Sequence, residues 1–166
     1  MTIESEFVAF SSEKLLELAG RIEICAGKLT AEQLWTRGSE NQNAVGNLLL
    51  HLNGNVRQWI LTSVGGHADT RDRPSEFAAQ GGRGASELLA PLRATVADAV
   101  KVLRAVPAHR MLDSVTVQGY DTTVLGAIYH VVEHFAGHAF QIFLLTKAFT
   151  GEDLRFYDHL SAGKSA

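Results

Sequence analysis

The feature that most constrains this chain is the apolar run from Thr122 to Phe149, where Val131, Phe135, His138, Ile142 and Leu145 recur three and four residues apart. That spacing lines one face of an α-helix and is incompatible with the alternation of a strand. A helix this long and apolar must bury its stripe against partners, and three other segments carry matching stripes. The first runs from about Ile3 to Gly27, with Phe7, Phe10, Leu15, Leu18, Ile22 and Cys25 inward and Glu4, Glu6, Glu13, Lys14 and Glu17 toward solvent. The second runs from about Asn43 to Val64 and is ended by Gly65 and Gly66. The third spans about Ala85 to Ala105 on Leu88, Leu92, Val96, Ala99, Val100 and Leu103; Pro91 inside it predicts a start nearer Ser86 or Leu89, or a kink.

The expected fold class is therefore all-α. Residues 1–166 read as a single four-helix-bundle domain with helices about 3–27, 43–64, 85–105 and 122–149, the last capped by Asp121. Between the first two helices, Thr30 and Gln33 form a capping-box pattern for a short turn. A long loop, residues 65–84, separates helices 2 and 3, a length that in compact domains signals a lid, an interface or disorder. Ser114 to Gln118 is strand-like and closed by Gly119, as in a loop or small hairpin.

Composition narrows the function classes. A formal charge of -3, from 15 Lys+Arg and 18 Asp+Glu, leaves no basic excess for nucleic acid. No apolar run reaches the ~20 uninterrupted residues of a membrane span, and the N-terminus lacks a signal-peptide pattern. With Cys25 the single cysteine, a soluble, cytoplasmic protein acting on a small molecule is expected.

Within the fourth helix, His130, His134 and His138 fall at intervals of four. Neighbours four apart differ by about 40° in azimuth and about 6 Å along the axis, so two imidazoles can share one ion while a third in the row cannot. The stripe places His134 and His138 nearest the bundle axis, leaving His130 as outer shell, alternative ligand or bystander. A catalytic ion usually takes three protein ligands. His51, set among leucines on the second helix, is the candidate third, and Asn55 and Gln58 continue its face as a polar seam able to orient ligands or bind substrate.

The competing reading is that these histidines simply fill a core. His67, His109 and His159 have polar surroundings and read as ordinary solvated side chains. Glu133 precedes His134, but the order is not His-Glu-x-x-His, so it reads as a solvated charge or outer-shell partner. Cys25 suits a core position. Arg71 and Arg73 read as solvated charge, with an anion-recognising lid as the sharper alternative. Trp59 reads as packing against a helix or subunit, or, with Arg57, as lining a pocket mouth.

The stretches "NLLLHLNGNVRQWI" and "HVVEHFAGHAFQI" resemble the DinB/YfiT-like superfamily of four-helix-bundle metalloenzymes, in a subgroup known mainly as a domain of unknown function. The family pattern, one histidine on the second helix and His-x-x-x-His with a following Gln-Ile on the fourth, matches His51, His134, His138, Gln141 and Ile142. The resemblance implies one divalent ion, nickel or zinc, on the three histidines with water completing its shell, and often a homodimer; Asn55, Gln58, His130 and Gln141 are the outer-shell candidates. It also implies either activation of a low-molecular-weight thiol for S-transfer or hydrolysis by metal-bound water. A non-enzymatic metal- or ligand-binding dimeric bundle is the alternative outside catalysis. Phe140 departs from the small residue usual at its position, so it either narrows the pocket or faces outward.

Overall fold

A computed structural model describes residues 2–158, and His159 lies outside them. In chain order the elements are α1 (Ile3–Gly27), α2 (Ala31–Trp35), α3 (Val45–Val56), α4 (Arg73–Ala78), α5 (Ala85–Ala105), β1 (Ser114–Val117), β2 (Tyr120–Thr123) and α6 (Val124–Thr150). The four long helices correspond to the four amphipathic segments. α1 packs on α5 and α6, and α3 packs on the same two helices. Phe135, at the middle of α6, is fully buried at their centre.

The fold is not purely all-α, because Ser114–Val117 and Tyr120–Thr123 pair as an antiparallel hairpin. Its turn residues, Gln118 at φ 54° and Gly119 at φ 79°, are both left-handed, as a two-residue hairpin turn following the strand twist requires. The hairpin carries the chain to Thr123, so Asp121 does not cap α6. Thr123 does, its hydroxyl accepting the Gly126 N–H at 3.1 Å, while Asp121 accepts the Thr116 hydroxyl across the hairpin at 2.7 Å.

Three other expectations shift. Phe10 is 61% exposed, because it sits five residues from Leu15, about 140° around the helix. Val8, Ser11 and Ser12 take the inward positions instead, and Ser12 satisfies its hydroxyl on the Val8 carbonyl at 2.7 Å. The second segment starts at Val45 rather than Asn43 and does not stay α-helical to Val64. It widens into a π-helical turn over Arg57–Thr62, with the Ser63 N–H reaching the Gln58 carbonyl five residues back at 3.1 Å. α5 starts at Ala85 despite Pro91. The Glu87 carboxylate accepts the Gly84 N–H at 2.8 Å, and Pro91 lies on the exposed face.

The long connection is built into the fold. Its helix α4 packs on α3, where Asn47 donates to the carbonyls of Glu76 at 3.0 Å and Ala79 at 2.8 Å. Arg37 donates to Asn47 Oδ1 at 2.9 Å and to the Phe77 carbonyl at 2.7 Å. This staple holds Glu76 against α3.

Candidate metal centre

α3 and α6 bring His51, His134 and His138 together so that one ring nitrogen from each lies within 4.8 Å of the other two. His51 Nε2 and His134 Nε2 face each other at 3.1 Å. Two imidazoles on one tetrahedral ion, with bonds of about 2.0–2.1 Å, hold their nitrogens about 3.3 Å apart, so this separation suits ligands of a shared ion.

The other ring nitrogens of His51 and His138 have partners that set their tautomers. His51 Nδ1 is 2.9 Å from Glu76 Oε2, so its N–H donates to the carboxylate and leaves Nε2 with a bare lone pair. His138 Nδ1 is 2.9 Å from Gln141 Oε1, which leaves Nε2 free in the same way. His134 Nδ1 is buried with no partner among the described residues.

Burial keeps the His134 and His138 rings neutral. Burial, reinforced by His138, His51, His130 and Arg71, pushes the His134 pKa down to about 3. Burial also lowers His138, with His51 adding to it against the opposing Gln141 bond. Burial would raise Glu76, but the hydrogen bonds from Arg71 and His51 outweigh it and hold the group ionised. The site thus combines neutral nitrogen donors with an anchored carboxylate, the donor set a divalent transition ion takes.

A depressed histidine pKa has a testable consequence in metal-free protein. Above the ordinary value of 6.5 the folded and unfolded chains carry the same charge on His134. Below it the unfolded chain takes up a proton that the fold refuses, so stability falls as pH drops from 6.5 toward about 3. His138 and His130 act in the same direction. Thermal melts of chelator-treated protein between pH 7 and pH 4 should show a steady decline of the midpoint; a flat profile would contradict the buried, neutral rings.

Glu76 and Arg71 are the site residues that sequence reasoning missed. Arg71 is not a solvated charge: its side chain is 3% exposed. It grips Glu76 through Nε to Oε1 at 2.8 Å and Nη2 to Oε2 at 2.9 Å. Gln58 meets the site through this pair, accepting from Arg71 Nη1 at 3.0 Å, and also contacts Gln118 at the cavity wall. The available signal was Gly54 within α3. A Cβ there would lie 1.9 Å from Glu76 Oε1 and 2.9 Å from Arg71 Nε. Gly54→Ala should therefore displace the carboxylate from His51 and weaken metal binding roughly tenfold, with no ligand touched. A competition titration against a chromophoric chelator reads this, and unchanged affinity would contradict it.

The remaining candidates separate clearly. His130 stacks on Trp59 with ring centroids 3.9 Å apart, outside the three-nitrogen cluster. Both line a cavity of about 430 Å³ together with His51, His134 and Asn55. Arg57 instead borders a second cavity of about 380 Å³, which Arg71 and Glu76 also line. Phe140 is 56% exposed and faces outward, so it does not narrow the pocket. Glu133 is exposed. Cys25 is fully buried, and burial pushes its thiol pKa up, as fits a core residue.

The family of proteins of unknown function DUF1572 matches residues 2–164. The chain belongs to that family. No curated protein matches it. The DUF1572 chain superposes on a conserved protein from Enterococcus faecalis with TM-score 0.73 at 17% identity, covering 92% of this chain and 99% of that one. It superposes on the DinB-like protein YjoA from Bacillus subtilis with TM-score 0.67 at 14% identity, covering 89% and 96%. A DinB-like protein from Bacillus cereus gives TM-score 0.65 at 15% identity, covering 84% and 89%. The fold shared with these DinB-like proteins is the one that the DinB/YfiT-like resemblance implies. No helix among the described residues is long and apolar enough to cross a membrane.

Proposed function

We propose that this DUF1572 protein is a metal-dependent enzyme that holds one divalent ion, nickel or zinc, on His51, His134 and His138 and activates a low-molecular-weight thiol for S-transfer. The observation that carries the reading is three ring nitrogens within 4.8 Å of one another, those of His51 and His138 bared by Glu76 and Gln141, with His51 and His134 at the wall of a cavity sized for a small molecule. When bound, the ion would lower the pKa of a thiol or water entering its open position. The protein's own groups do the rest. Glu76 and Arg71 hold the His51 ring, Gln141 holds His138, and Trp59 with His130 walls the cavity. Transfer to an electrophile is the chemistry that the resemblance implies.

Hydrolysis is the second reading, favoured by one observation: Asp121, displaced from its expected capping role, lines the same cavity and presents a carboxylate able to accept a proton. Mass-spectrometric screening of thiols with electrophiles, and separately of esters and amides, over metal-loaded and metal-free protein tests both. Metal-dependent consumption of thiol supports the lead; metal-dependent hydrolysis without thiol supports the second. Turnover independent of metal, or none in either screen, would contradict both readings and favour a non-enzymatic bundle.

A further inference from the structure

Asn55, expected in the outer shell of the metal, bonds none of the three histidines through its amide oxygen. It lies one turn beyond His51 on α3, is 3% exposed, and borders the cavity beside His51 and His134. Its Oδ1 is buried with no hydrogen-bond partner among the described residues. An amide withdrawn from water and left unpaired destabilises a fold, and leucine, apolar and branched at the same carbon, already fills the neighbouring positions 48, 49, 50 and 52. An acceptor kept bare at a cavity wall is explained by a ligand that donates to it.

The same cavity carries a cation without a carboxylate. Arg73 lines it with its guanidinium 4.9 Å from the Phe77 ring centroid, and it makes no ion pair among the described residues. The cavity's own carboxylate, Asp121, is engaged by Thr116. A divalent ion at the histidines together with Arg73 outweighs that single negative charge, so the field favours an anion. The Trp59 and His130 rings, in contact at a 34° tilt, give the cavity an aromatic wall.

We propose that this cavity recognises a small organic carboxylate with a flat, hydrogen-bond-donating body. Arg73 takes the carboxylate in the forked geometry that guanidinium and carboxylate share. Trp59 and His130 stack on the flat part, and Asn55 Oδ1 accepts an N–H or O–H beside the histidines. The proposal rests on the metal reading only for the extra positive charge at the histidine end.

N-Benzoylglycine carries all three features, and N-benzoylglycinamide lacks only the charge. Calorimetric titration of metal-loaded protein should show saturable binding of the acid and about tenfold weaker binding of the amide. Arg73→Gln should weaken the acid about tenfold and leave the amide unchanged. Asn55→Leu should weaken both while raising the melting temperature by a few degrees, the opposite of what a structural asparagine would give. Equal binding of acid and amide, native affinity in both variants, or no saturable binding by protein carrying its metal would overturn the proposal. Metal content is measured on the same samples. Chelator-treated protein that binds the acid with the same Asn55 and Arg73 dependence would support the carboxylate site even where the metal reading fails.

Discussion

Glu76→Ala is expected to cost about 3–5 kcal/mol of stability, because it leaves Arg71 as an uncompensated buried charge. The side chains are 9% and 3% exposed, so solvent does little to screen the loss. The same change removes the acceptor that fixes the His51 tautomer, and metal affinity should fall about 10- to 100-fold. Glu76→Gln, which keeps an acceptor oxygen but loses the charge, should lie between the two. The two consequences can be separated. Replacing both partners, Arg71→Met with Glu76→Leu, should restore much of the stability, since no unpaired charge remains, but none of the metal affinity. Denaturant unfolding and chelator competition read the two quantities. A Glu76→Ala protein with native stability and native affinity would show that the carboxylate is incidental to the site.

The second large effect concerns the metal itself. An ion that binds the folded chain alone stabilises it by about 2.7 kcal/mol at a hundredfold excess over Kd. Nickel or zinc should therefore raise the melting temperature of the native protein by several degrees at that excess. His134→Ala should abolish the rise, because His134 is the ring that faces His51 Nε2 at 3.1 Å. In metal-free samples the variant should lose little, since it also removes a buried Nδ1 that has no partner among the described residues. An equal metal-induced rise in both proteins would place the ion elsewhere.

The parts of this account that were legible in the sequence are those governed by local periodicity. His134 and His138 stand out because four residues is one helical turn, and His51 because a polar ring among leucines is costly without a partner. Every residue of the expected α5 stripe is buried, joined by Leu89 and Thr95, since the stripe rests on the same 3.6 period. Glu76 and Arg71 were not legible, because they come from a loop whose position depends on Asn47 and Arg37 binding backbone carbonyls far along the chain. Their trace in the sequence is negative: Gly54, a helix-weakening residue whose missing side chain makes room for the carboxylate. Asp121 misled for a related reason. Aspartate is a strong capping residue in isolation, but the register pairing Thr116 with Asp121 and Ser114 with Thr123 moves the helix start two residues on. Phe10 shows how an apolar residue near a stripe can still lie on the wrong side of it.

The most direct test is elemental analysis of the purified protein beside a variant in which His51, His134 and His138 are all alanine. The native protein should carry about one divalent ion per chain and the variant almost none, with both remaining folded by circular dichroism. Less than about half an equivalent in native protein that has been offered nickel and zinc, or an undiminished content in the folded variant, would contradict the three-histidine site.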